Sequence, residues 1–150
     1  MAEIKLTEDC MQLISKFENM TGAGSRDCII DERNDRIIFV INPGDMGLAI
    51  GKKGTTIKKA SDAFGKRIEV VEYSADPEQF LKNCFLPAQV TSITFATNED
   101  GEKVALIDVK PDDRGLAIGK EGKNIFKAKK LAGRQHDIAD VQLVQDDEGF

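Results

Sequence analysis

The sequence has no tryptophan, one tyrosine (Tyr73), one histidine (His136), four prolines and three cysteines in 150 residues. One histidine and scattered cysteines do not assemble a zinc site, and they offer poor material for a nucleophile–histidine pair. Cys10, Cys28 and Cys84 are odd in number, and their spacings match no metal or redox motif. They read as buried free thiols in a reducing compartment. No apolar run approaches the roughly 18 residues of a membrane helix. The start, Met1 to Asp9, lacks a basic-then-apolar signal pattern. The expected setting is cytoplasmic, with no membrane partner.

What is present is charge, unevenly placed. The net charge is −5. Residues 44–67 nevertheless carry six bases against Asp45 and Asp62, and residues 110–134 carry eight against Asp112, Asp113 and Glu121. Two basic islands stand in an otherwise acidic chain. Such asymmetry suggests local binding of a polyanion, although two solvated helix faces would look the same by charge alone.

The islands are copies of each other. At an offset of 68 residues, Pro43–Gly54 (PGDMGLAIGKKG) lies over Pro111–Gly122 (PDDRGLAIGKEG), and 13 of the 24 positions from Pro43 to Lys66 are identical. An internal duplication of this length implies two small domains, 1–75 and 76–150, meeting near Ser74-Ala75-Asp76-Pro77.

Each copy reads α-β-β-α-α-β. In the first, Thr7 caps a helix whose apolar face is Cys10, Leu13, Ile14, Phe17 and Met20, and Gly22 ends it. Strands follow at Cys28–Asp31 and Arg36–Ile41, helices near Asp45–Ile50 and Thr55–Phe64, and a strand at Ile68–Tyr73. In the second, Asp76 and Pro77 open a helix to about Cys84. Strands follow at Val90–Thr97 and Lys103–Val109, helices near Asp112–Ile118 and Lys123–Ala132, and a strand at Asp137–Val144. The tail from Gln145 to Phe150 is acidic and reads as frayed.

The chemistry concentrates in the turns between paired helices, Gly51-Lys52-Lys53-Gly54 and Gly119-Lys120-Glu121-Gly122. The first glycine ends a helix, where positive φ is commonly needed. The second opens the next helix, whose N–H groups and dipole favour an anion. Without side chains at the glycines a phosphodiester backbone can approach. Lys52, Lys53, Lys58, Lys59, Lys120, Lys123 and Lys127 are candidates for phosphate contact. Ile50, Ile57, Ile118 and Ile125 flank the loops and either floor a base-binding groove or belong to the core.

A nucleotide P-loop needs four residues between its first glycine and Gly-Lys, then Ser or Thr. Here three residues separate Gly47 from Gly51, and Lys53 follows Lys52. A dinucleotide fingerprint needs a glycine spacing that neither copy has. Asp108, Asp112 and Asp113 could be proposed as a metal or acid–base cluster. They fall at a strand end and a helix cap, and the first copy keeps only Asp45 of the three. An enzyme is not expected, and neither a cofactor nor a small-molecule substrate.

Gly-Leu-Ala-Ile-Gly-Lys-x-Gly followed by an amphipathic helix resembles the core of a KH domain, whose GxxG loop clamps about four nucleotides of backbone. The element order resembles the type II form: an α+β fold with helices packed on one face of a three-stranded sheet. Two in tandem, filling nearly all of the chain, resemble the archaeal NusA-type transcription elongation and termination factors. The resemblance implies single-stranded RNA and RNA polymerase as partners, in pausing, elongation or termination. The alternatives are a KH protein of ribosome assembly or RNA processing, and an adaptor whose KH folds have lost RNA binding. Bacterial members also carry an N-terminal polymerase-binding domain and an S1 domain, for which 150 residues leave no room. One departure stands out: Glu121 takes the place of Lys53, and a carboxylate there repels phosphate.

Overall fold

The computed structural model describes residues 6–144, so the acidic tail lies outside the described residues. The chain divides into two compact units, one ending at Ser74 and the other running on from Ala75.

In the first unit, α1 spans Glu8–Thr21. Thr7 caps it by accepting a hydrogen bond from the Cys10 N–H at 3.1 Å, and Gly22 closes it at φ 79°. Strands β1 (Ser25–Asp31) and β2 (Arg36–Ile41) form an antiparallel hairpin, and β3 (Arg67–Glu72) joins β2 in parallel. The paired helices α2 (Met46–Ile50) and α3 (Thr55–Phe64) lie between β2 and β3 in the chain. Cys10, Ile14 and Phe17 pack with Ile37, Phe39, Ile41, Ala49 and Ala60, and Phe17 stacks on Phe39 at 4.2 Å between ring centroids. Met20, placed on the apolar face by periodicity, is 40% exposed in the last turn of α1.

The second unit repeats the plan. Helix α4 is Pro77–Phe85, with the Asp76 carboxylate accepting from the Glu78 N–H. Strands β4 (Val90–Thr97) and β5 (Lys103–Val109) are antiparallel, and β6 (Asp140–Leu143) is parallel to β5. Helix α5 is Arg114–Ile118 and α6 is Lys123–His136. The architecture is α+β: two tandem KH-type units, each with a three-stranded mixed sheet.

The three largest boundary differences from the sequence reading are these. Strand β1 begins at Ser25, three residues early, around an irregularity between Ser25 and Asp27. Helix α6 runs four residues past Ala132. The equivalent glycines explain it: Gly65 ends α3 at φ 68°, whereas Gly133 lies inside α6. Burial of Leu131, Ala132 and Gln135 outweighs the roughly 1 kcal/mol that a mid-helix glycine costs. The longer helix delays β6, which starts at Asp140 rather than Asp137.

Among the described residues no helix is long and apolar enough to cross a membrane.

Candidate nucleic-acid interface

The two glycine turns have one backbone. Gly51 (φ 77°, ψ 173°) and Gly119 (φ 79°, ψ 166°) cap the helices before them, their N–H groups donating to Gly47 and Gly115 carbonyls at 2.8 and 2.9 Å. Lys53 and Glu121 then take left-handed conformations, and Gly54 (φ 76°) and Gly122 (φ 77°) open α3 and α6. The Gly54 and Gly122 N–H groups donate back across the turn to Gly51 and Gly119 carbonyls at 3.2 and 3.1 Å.

The first glycine of each turn is required twice over. Besides its φ, a Cβ on Gly51 would lie 2.1 Å from Thr56 Oγ1, and one on Gly119 would lie 2.8 Å from Asn124 Cγ. Asn124 braces the second turn by donating from Nδ2 to the Leu116 carbonyl at 2.8 Å. The second glycines have room for a side chain and are needed for φ alone. Neither α3 nor α6 has a side-chain cap hydrogen bond at its start.

Lys52, Lys53, Lys58 and Lys59 are exposed around the first turn, and Lys120 and Glu121 around the second, while Lys123 is half-buried. Lys127 is placed differently from its counterpart Lys59. It is buried in α6 beside the enclosed Cys84 thiol, on the side where α4 packs. It is therefore removed from the solvent face expected of a phosphate contact. Burial pushes the Cys84 thiol up to about 12, against the opposing pull of the Lys127 charge.

Of the flanking isoleucines, Ile50 and Ile118 are 36% and 37% exposed. Ile57 and Ile125 are half-buried, and Ile57 packs against the first core. Sequence reasoning gave no role to Leu48 and Leu116, which are 51% and 44% exposed on α2 and α5. Their signal was present: both belong to the duplicated Gly-Leu-Ala-Ile-Gly-Lys, in which only the alanines, Ala49 and Ala117, are fully buried.

Asp45 and Asp113 serve the fold, though not through side-chain helix capping. Asp45 and Asp113, equivalent in the repeat, each accept a backbone N–H at 2.9 Å from the residue leading into the first strand of the unit, Gly24 or near it Gln89. Neither caps its own helix through its side chain.

Two units with this element order, each with a GxxG turn between paired helices, define a tandem KH-domain protein. Residues 14–75 match the KH domain family, and residues 77–146 match the NusA-like second KH domain. The chain is 42% identical over 142 residues to the "Probable transcription termination protein NusA" of Methanococcus vannielii, covering 94% of this chain and 80% of that one. The same-named protein of Halobacterium salinarum strain R1 is 39% identical over 140 residues, covering 93% and 98%. The transcription termination/antitermination protein NusA of Thermus thermophilus is 33% identical over 110 residues, 73% of this chain and 28% of that longer one. The crystal structure of APE1850 matches with a TM-score of 0.82 at 40% identity, covering 93% of this chain and all of that one. The chain belongs to the archaeal NusA family of tandem KH-domain proteins.

Proposed function

We propose that this protein binds single-stranded RNA through its two GxxG turns and acts on elongation, pausing or termination by RNA polymerase. The observation that carries the reading is the duplicated turn, whose backbone angles agree to within a few degrees in φ between copies. It is joined to membership of a family whose relatives are named as transcription termination proteins. Family membership links the chain to the transcription machinery; direct contact with the polymerase is part of the proposal. The role is one of binding, not of chemistry on a substrate.

Gly51, Lys52, Lys53 and Gly54 form the first clamp, and Gly119, Lys120, Glu121 and Gly122 the second. The glycines let the sugar–phosphate backbone come close, and the lysines attract phosphate. Ile50 and Ile118, with the edges of Ile57 and Ile125, supply apolar surface to unstacked bases. Lys58, Lys59 and Lys123 add charge along the helices that follow. Lys127 is left out of this set because it is buried.

The test is competition between single-stranded and duplex RNA of equal length, repeated over a range of salt. Single strands are expected to win, with log K against log salt falling at a slope of roughly −2 to −4 for about 3–5 neutralised phosphates. Equal competition by duplex, or a flat salt dependence, contradicts the reading.

A further inference from the structure

Helix α6 differs from its counterpart α3 in a way the clamp does not use. Its sequence, KNIFKAKKLAGRQH, carries Lys123, Lys127, Lys129, Lys130 and Arg134 and no acidic residue, whereas α3 carries two lysines and Asp62. Lys127, Ala128, Leu131, Ala132 and Gln135 form the buried face. On the opposite face, one turn beyond Gly122, Phe126 is 41% exposed. Its ring carries the Lys130 ammonium 5.7 Å from the centroid, an (i, i+4) neighbour. The equivalent residue in the first copy is Lys58.

A single exposed aromatic is common on protein surfaces. This one follows a turn that is itself flanked by the exposed Leu116 and Ile118, on a helix whose charge is all of one sign. Lys129, three residues on from Phe126, pairs with Asp140 at 3.3 Å, whereas Lys130 lies over the ring itself.

We infer that Phe126, with Lys130 behind it, is a stacking platform for a nucleobase of the RNA strand as it leaves the second GxxG turn. The inference rests on the RNA-binding reading above. A phenyl ring stacks any base face, and a neighbouring ammonium serves the adjoining phosphate. The two halves then divide the work. The first clamp, with Lys52 and Lys53, holds chiefly by charge. The second, weakened by Glu121, gains affinity from stacking.

The experiment measures affinity of the full chain for an unstructured single-stranded RNA of about ten nucleotides, more than the roughly four a KH groove grips. The same RNA carries a 2-aminopurine to report stacking. Wild type, Phe126→Ala, Phe126→Tyr and Lys130→Gln are compared, with circular dichroism to confirm folding. Phe126→Ala is expected to weaken binding on the order of tenfold and to relieve the fluorescence quench, with the salt slope unchanged. Phe126→Tyr is expected to restore both. Lys130→Gln is expected to reduce the salt slope by about 0.7. Binding by Phe126→Ala within twofold of wild type, with the quench intact, overturns the platform and leaves the clamp standing. Failure of the wild type to bind RNA removes the underlying reading and the platform with it.

Discussion

Lys53 and Glu121 occupy the same left-handed backbone conformation, φ 56° and ψ 29° against φ 57° and ψ 24°, yet carry opposite charges. The duplication therefore contains its own charge experiment: one turn geometry, presented once with two cations and once with a cation and a carboxylate. Glu121→Lys places a lysine in a conformation that a lysine already adopts in this protein. RNA affinity of the second unit is expected to rise several-fold at low salt, and the gain is expected to shrink as salt screens it. Titrations of the variant and wild type at two salt concentrations check this.

The four turn glycines are not equivalent. Gly51→Ala meets both a left-handed φ and a Cβ position 2.1 Å from Thr56 Oγ1, whereas the Cβ of Gly54→Ala finds nothing nearer than 4.0 Å. Gly54→Ala is expected to cost about 1 kcal/mol through its φ alone. Gly51→Ala is expected to cost more and to displace the start of α3. Urea midpoints rank the two, and amide exchange across residues 51–56 shows where the change lies.

In the first unit Arg36 is fully buried. Its Nε donates to Asp31 Oδ2 at 2.7 Å, and its guanidinium also reaches Glu69 at 3.2 Å. Burial alone would raise the Asp31 pKa, but hydrogen bonds from Asn34 and Arg36 outweigh it and hold the carboxyl below its usual range. A carboxyl whose folded pKa is depressed stabilises the fold above its unfolded pKa, and that contribution is lost as pH falls through the folded value. Stability is thus expected to decline below about pH 4. Asp31→Asn is expected to be less stable at neutral pH by about 3 kcal/mol and to show a shallower acid decline. Urea titrations from neutral to acid pH measure both.

All three cysteines are free and buried, and the Cys84 thiol is pushed up to about 12. Thiolate is the reactive form. No thiol is expected to react with a disulfide reagent in the native protein, and all three are expected to react in denaturant. Rapid labelling of Cys84 in the folded chain would contradict its burial.

The repeat made most of the architecture readable. Thr7, Gly22, Asp76 and Pro77 marked helix ends where the structure has them, and Thr55–Phe64, Arg36–Ile41 and Lys103–Val109 were legible to the residue. Other features depended on packing that local pattern does not encode. Gly133 looks like the same stop signal as Gly65 until the buried residues around it carry α6 onward. Lys127 looks like Lys59 until α6 turns it inward beside Cys84. Phe126 and Leu116 drew no reading from the sequence; only the direction of their helix faces places them in solvent.

The central claim is that the glycine turns are the RNA clamps, and charge reversal in the first turn tests it most directly. Lys52 and Lys53 are exposed, so changing both to Asp is expected to leave the fold and melting temperature near wild type. Affinity for single-stranded RNA at one fixed salt is expected to fall by well over tenfold, since two attractive contacts become repulsive. The matching change at Lys120 with Glu121→Asp inverts only one charge and is expected to cost less. Undiminished RNA affinity in the folded Lys52→Asp, Lys53→Asp variant would contradict the account and reduce the turn to a hinge between two helices.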